Sequence, residues 1–489
     1  MEEYIKKLLE QVRFEKAHKT IGDEIRAHIE EQIDDNISEG MDKETAEKSA
    51  VKDMGDPVET GIALDKVHRP QIAWGVIIAA IGVGILGVII HLFLNKVPIS
   101  YSSEIEILGN ITVDDTGYYI YNVVCGIAVM LIFFLIDYTV VAKYSKIAAV
   151  ILMISYTIKN FALCKRMENM DAFLNHEPSA YESLESFFSW SGPRIFLLVP
   201  LFAGIIYKYK GQKYEGLVKS FIWIVAIGIV AAGAGVNNQE YRSLVIVISL
   251  LVELTIAIQK EWIKVPKIPA IAAIWSLATV IPVVLVRFMY NNRILSITKM
   301  TVVRSIFGPD TSKRNVKELL SGTKLFGSGT VSYLDGDITV STLKLINSRI
   351  SGGADENSYV ITKTAAAMGG AFAFAIIFVV AALIIFGFVA TSKTKNQLGV
   401  VMGSGCMMWL TVNALFNICV GFGLLPSFYH TSFFPFISNH KVVASYALLG
   451  IILSIYKYKN AYPKHVDIRI RSNIKGLRRD TEFDTWKNT

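Results

Sequence analysis

Beyond Arg69-Pro70 the chain becomes a succession of apolar runs, and that succession constrains the fold more than any other feature. Ten runs are read, at about 72–94, 119–138, 144–163, 194–209, 219–236, 243–259, 268–290, 366–391, 397–425 and 441–457. Each approaches the roughly 20 apolar residues that a bilayer-crossing helix needs, the fourth and sixth being short. Composition agrees: 52% of the 489 residues are hydrophobic and only 19% charged, where a soluble domain averages about 25% charged. The expected class is all-α, a polytopic membrane protein of about ten transmembrane helices preceded by a small soluble helical domain. A disordered chain, a coiled coil and a disulfide-stapled secreted module are excluded.

Residues 1–70 differ in character. They hold 11 Lys/Arg against 18 Asp/Glu, so the overall net charge of +7 hides an acidic start and a basic remainder. Tyr4, Ile5, Leu8, Leu9 and Val12 form one apolar stripe, and Ile25, Ile29, Ile33 and Ile37 form another, both at helical spacing. Gly40 is expected to end the second helix and Asp42 to cap the next. Gly55-Asp56-Pro57-Val58-Glu59 then reads as stop, cap, first-turn proline and capping-box glutamate. The organisation expected is a helical domain at 1–70, a membrane domain at 71–460 and a basic tail at 461–489. The polar start predicts no signal peptide.

Lysine placement predicts orientation. Loops of one parity hold Lys143 and Lys146; Lys208, Lys210, Lys213 and Lys219; Lys260, Lys264 and Lys267; and Lys393 and Lys395, and the tail is also basic. Loops of the other parity are acidic or nearly neutral, with Glu104, Glu106, Asp114 and Asp115 after the first span. By the positive-inside rule both termini are expected in the cytoplasm of a multi-pass cell-membrane protein, its basic excess facing anionic membrane lipid. No nucleic-acid partner is expected, since no basic platform interleaved with aromatics is present.

The four cysteines, Cys125, Cys164, Cys406 and Cys419, lie in or beside apolar runs without CxxC spacing and read as buried free thiols. His28, in Ala27-His28-Ile29-Glu30-Glu31, lacks the HExxH arrangement, and no metal site is predicted. Residues 291–365 are too long for a plain connection and mark the place to look for chemistry. They carry Phe307-Gly308-Pro309-Asp310, a hairpin signal at Asp335-Gly336 and the acidic pair Asp355-Glu356. Glu253 lies inside the sixth span, where an acid is either functional or a protonated or paired helix residue near the cytoplasmic side.

The last two spans resemble a known family. Asn413-Ala414-Leu415-Phe416-Asn417-Ile418, Gly423-Leu424-Leu425-Pro426, Phe434-Pro435-Phe436-Ile437-Ser438 and Tyr446-Ala447-Leu448-Leu449-Gly450 are similar to the C-terminal signature of the SEDS family. These are the shape, elongation, division and sporulation proteins of the RodA and FtsW type. The ten spans, the large loop after the seventh and Tyr207-Lys208-Tyr209-Lys210-Gly211 fit the same family, over about residues 72–460. Residues 1–70 resemble a permease prefix domain through Glu24-Ile25-Arg26-Ala27-His28-Ile29-Glu30-Glu31, Gly40-Met41-Asp42 and Asp53-Met54-Gly55-Asp56-Pro57. That likeness implies regulation, or a cytoplasmic partner bound by residues 1–66, and no catalysis.

The SEDS resemblance implies polymerisation of lipid II, an undecaprenyl diphosphate-linked disaccharide peptide, alongside a penicillin-binding transpeptidase. It implies a carboxylate as general base for the acceptor hydroxyl and cations for the departing diphosphate. A divalent cation is the one cofactor candidate, as an aid to that diphosphate. The family's Thr-Asp motif aligns with Asn357-Ser358 here, so Ser358 stands at the Asp position. A serine hydroxyl is no base at neutral pH without a partner, which leaves Asp355 and Glu356 either as a displaced base or as a solvated pair. Arg304 aligns with a family basic residue and reads as a diphosphate contact or as an interfacial side chain; Lys313 and Arg314 are further candidates. Before the fourth span the family's Pro-Ser-Glu and Lys give way to Ser191-Gly192-Pro193-Arg194-Ile195, leaving Arg194 as the charge there. After Ser438 the family's Tyr-Gly-Gly-Ser-Ser is replaced by Asn439-His440-Lys441-Val442-Val443. Three readings follow: a lipid II polymerase, a non-catalytic relative that binds lipid II or a partner, and a lipid or small-molecule transporter.

Overall fold

The computed structural model describes residues 1–94, 116–168, 180–188, 194–233, 240–291, 311–333, 338–342, 345–346, 359–425, 435–436 and 442–462. Four helices open the chain: α1 (Glu2–Glu10), α2 (Glu15–Ser38), α3 (Lys43–Asp53) and α4 (Pro57–His68). They enclose a core of their own from Tyr4, Ile5, Leu8, Val12, Ala17, Ile21, Ile25, Ile29 and Ala50. The isoleucine stripe on α2 does not stay buried to its end: Ile29 is fully enclosed and Ile37 is 40% exposed. Four-residue steps at about 100° per residue overshoot a full turn by about 40° each, so the stripe rotates off the buried face. The two aspartate caps form as read, Asp42 accepting from the Thr45 N–H at 3.1 Å and Asp56 from the Val58 N–H at 3.2 Å. Gly40 and Gly55 hold positive φ, 98° and 75°, where a side chain would be strained.

The membrane domain begins with α5 (Trp74–Leu94), α6 (Thr116–Leu135), the short α7 (Tyr138–Lys143) and α8 (Ser145–Glu168). After α9 (Ala180–Phe188) come a 3-10 turn (Ile195–Leu197) and α10 (Leu198–Tyr207), then α11 (Tyr214–Ala232), α12 (Glu240–Gln259) and α13 (Lys267–Asn291). The remaining elements are α14 (Thr311–Ser321), β1 (Thr330–Tyr333), β2 (Ile338–Ser341), α15 (Val360–Met368), α16 (Gly370–Ser392), α17 (Gln397–Gly421) and α18 (Val442–Lys457). Seven helices among the described residues are long and apolar enough to cross a membrane, and three shorter apolar ones accompany them. The protein is a polytopic membrane protein, and its outer surface shows why. On α5 the exposed side chains Ile78, Ile81, Ile85 and Ile89 form an apolar stripe facing outward, as a helix surrounded by lipid requires.

Three of the expected spans need comment. The fourth span is short because α10 never meets lipid; every residue from Leu198 to Tyr207 is buried among other helices. The sixth reaches 20 residues as α12. The eighth span is broken: α15 ends at Met368 and α16 starts at Gly370, with Gly369 between them at φ 107° and ψ 161°. At the centre stands α17, packed by α10, α12, α16 and α18. Glycine notches let large side chains cross between helices: a side chain at Gly126 would collide with the Tyr446 ring and one at Gly84 with its hydroxyl, which reaches through to donate to the Ala80 carbonyl at 2.8 Å.

The lysine-bearing turns meet at one end of the bundle. Lys208 Nζ donates to the Lys143 carbonyl (3.0 Å), Gly211 N–H to Trp262 O (2.7 Å) and Lys395 N–H to Lys459 O (3.0 Å). The four-helix domain sits at this near end. Phe14 stacks on Tyr458 with ring centroids 5.4 Å apart and meets Tyr462 edge-on at 6.4 Å, and the Gln71 N–H donates to Lys457 O at 3.0 Å. Tyr462 donates in turn to Asp137, whose other carboxylate oxygen accepts from the Thr139 N–H and caps α7.

Candidate functional site

The far end of the bundle is where a folded cap is built, from the long segment between α13 and α15. Alternation of apolar and polar residues in 330–333 and 338–341 forms the expected hairpin, antiparallel with Thr330 opposite Ser341 and Tyr333 opposite Ile338; its connection at 334–337 lies outside the described residues. Upstream, α14 turns Val316 and Leu319 inward against Val331, Leu345, Ile346, Tyr359, Ala366 and Val420. The cap therefore has an apolar centre shared with α15 and α17.

Polar contacts fasten it. Thr342 is fully buried, and its hydroxyl accepts from the Gly329 N–H at 2.9 Å and lies 2.8 Å from the Ala366 carbonyl, to which it donates. The break at Gly369 exposes the amides that begin α16, and the cap takes them: the Gly370 N–H donates to Lys324 O (2.9 Å) and the Ala371 N–H to Leu325 O (3.0 Å). The Gly327 N–H returns a bond to Met368 O at 2.7 Å. A break within an apolar span is tolerated because cap backbone re-satisfies the freed groups.

Charge and apolar surface meet on this cap. Lys313 is half-buried; Arg314, Lys317 and Lys324 are exposed. Beside them stand exposed apolar side chains: Leu325 and Phe326, each 66% exposed, Phe374 at 61% and Leu424 at 63%. Phe326 meets Phe372 edge-on at 6.4 Å, and Phe374 lies 6.1 Å from Phe422. Gly423, next to Leu424, has φ 65° and packs so closely on α14 that an added Cβ would lie 2.9 Å from the Lys313 carbonyl and 3.2 Å from Lys317 Cγ. The cap thus presents cations over an apolar rim.

Of the residues singled out from sequence, Lys313 and Arg314 belong to this cap. Arg194 is exposed and stands immediately before the 3-10 turn that leads into α10. Arg304, Asp355, Glu356 and Ser358 lie outside the described residues. Sequence reading missed Thr342, Lys317, Lys324 and the Gly369 break; the Gly369-Gly370 pair inside an apolar run was the available signal. Among the described C-terminal motif residues, two make contacts within the bundle: Asn413 donates to Trp409 O (2.8 Å), and Phe436, at φ 69°, accepts from the Tyr119 hydroxyl at 2.6 Å through its carbonyl. No group of three or more His, Cys, Asp or Glu residues able to hold a metal occurs among the described residues. The four cysteines are free, Cys406 buried and the others partly so.

No protein-family model matches the sequence, and no curated protein matches it. Among solved structures the chain is similar to one in "Structural coordination of polymerization and crosslinking by a peptidoglycan synthase complex". The two share 12% identity and a TM-score of 0.50, over 80% of this chain and 99% of the other. At that identity the likeness is one of fold.

Proposed function

We propose that this chain is a SEDS-type membrane protein of peptidoglycan assembly, with both termini in the cytoplasm and the cap at the outer membrane face. The observation that carries the reading is the fold likeness over 80% of the chain, and the four-part C-terminal motif supports it. The cap adds chemistry of the right kind. An undecaprenyl diphosphate pairs a long apolar chain with an anionic head, and Lys313, Arg314, Lys317 and Lys324 beside Leu325, Phe326 and Leu424 match that pairing. In this proposal the cations hold the diphosphate and disperse its charge as it leaves. Asp355 or Glu356 takes the proton of the acceptor sugar hydroxyl, Arg304 and Arg194 are further contacts for the lipid head, and a penicillin-binding transpeptidase is the partner.

A second reading has its own support. Ser358 stands where the family carries its Asp, which favours a relative that binds lipid II or a partner without polymerising. Labelled lipid II, supplied to the purified chain alone and with a transpeptidase partner, separates the two. Polymer that disappears when Asp355 and Glu356 are both changed to Ala establishes the polymerase. Binding without polymer, beside an active relative as control, establishes the non-catalytic relative.

A further inference from the structure

Inside the bundle, far from the cap, one carboxyl has no counterpart. Glu253 lies on α12, about 9 Å from its near end and about 20 Å from its far end at 1.5 Å per residue. Its side chain is fully buried, and neither oxygen has a hydrogen-bond partner. The carboxyl is aimed at α17, at Gly405 in the small-residue run Gly403-Ser404-Gly405-Cys406; a Cβ at 405 would overlap it. The glycine is therefore what leaves room for the acid.

This is not how the chain just beyond α12 is joined to α17. Nine residues on, in the turn that follows α12, Trp262 Nε1 donates to Gln397 Oε1 at the start of α17 at 2.7 Å, a buried bridge with both partners satisfied. A polar group kept for adhesion is expected to look like that. An ionised carboxylate without a partner in this setting costs several kcal/mol, whereas the neutral acid loses far less. A metal ion needs several oxygens, and the flanking hydroxyls on α12 are engaged: Ser249 donates to Val245 O (2.8 Å), and Thr255 donates to Leu251 O (2.7 Å) while accepting from Trp275 (3.1 Å). The titratable side chain that faces Glu253 from α17 is Cys406, itself buried. The ligand that fits is a proton.

We propose that Glu253 is a proton-binding site of the membrane interior, and that its protonation state governs how closely α12 packs on α17 at Gly405. The inference stands whether or not the far-end cap polymerises glycan. Protonated, the carboxyl fits the notch; ionised, it draws water and parts the helices there.

The test is carbodiimide labelling of the full chain in lipid vesicles. Dicyclohexylcarbodiimide adds a carboxylic acid O–H across a C=N bond, and the O-acylisourea rearranges to a stable N-acylurea; no atom leaves and no oxidant is needed. The expected result is an adduct mapped to Glu253 at pH 7, where a solvent-exposed glutamate of ordinary pKa about 4.3 is ionised, declining severalfold as pH is raised. Amide exchange in α12 and α17 should rise with pH beyond the intrinsic rate in the wild type and not in Glu253→Gln. Absence of the adduct between pH 5 and 8, or labelling and exchange indifferent to pH, overturns the proposal. The wild-type labelling decides by itself if Glu253→Gln fails to fold.

Discussion

Gly369 shows how much rests on one residue. Its φ of 107° and ψ of 161° belong to a region essentially reserved for glycine, and an added Cβ would lie 2.6 Å from the Leu325 carbonyl. Gly369→Ala should therefore cost about 1–3 kcal/mol in backbone strain alone and loosen the cap, read as a lower unfolding midpoint and faster exchange at Gly370 and Ala371. In the four-helix domain Asp65, 5% exposed, accepts from the Arg13 backbone N–H (3.0 Å) and from its guanidinium (3.0 and 2.7 Å). Arg13 holds the Asp65 carboxyl below the usual carboxylate range. The sign follows from the lowered value: the contribution is in place above the ordinary pKa of about 3.9 and is lost as pH falls through the lowered one. Asp65→Asn should lower the domain's protection at pH 7, by a margin that shrinks as pH falls below about 3.9, measured by amide exchange in residues 1–68 of the full chain.

At the scale of elements, the contact between the four-helix domain and the bundle is narrow enough to be addressed. Phe14, placed at the start of α2, is wedged against Tyr458 and Tyr462 just beyond α18. Aromatic pairs contribute about 0.5–1.5 kcal/mol each beyond area, so Phe14→Ala should weaken docking by about 1–3 kcal/mol and expose the 69–73 junction to proteases without unfolding either part. His68 lies at the same junction; burial pushes its pKa down, while the Asn460 carbonyl works in the other direction. A histidine held neutral in the docked state takes up its proton more readily when released, so docking should weaken as pH falls from about 7 through the ordinary value near 6.5. His68→Gln should remove that pH dependence in the same proteolysis assay.

For the molecule as a whole, the geometry makes a sidedness prediction. Lys213 sits in a near-end turn and Ser328 in the far-end cap, both exposed. With Cys125, Cys164, Cys406 and Cys419 replaced, Lys213→Cys should react with an impermeant thiol reagent only from the cytoplasmic side, and Ser328→Cys only from the outside. The reverse pattern would overturn the orientation proposed from lysine placement. Much of the architecture was legible in advance because hydrophobic length and helix punctuation are local: ten apolar runs, the caps at Asp42 and Asp56, and the hairpin at 330–341. The site was less so. Thr342, Lys317 and Lys324 gain their meaning from neighbours far along the chain, and no periodicity marks them.

The amino-acid sequence by itself determined that this chain crosses a membrane many times, carries an acidic helical domain before the first crossing, and alternates basic and neutral connections. These follow from transfer free energies and local backbone preferences, which act over a few turns of helix. The tertiary structure decided which spans meet lipid and which, like α10, are enclosed by protein. It also decided that the eighth span breaks at Gly369 to seat the cap, that Phe14 docks on the last helix, and that Glu253 faces a glycine with no partner. Those outcomes depend on close packing between residues hundreds of positions apart, where the shape left by one glycine selects the side chain that fills it.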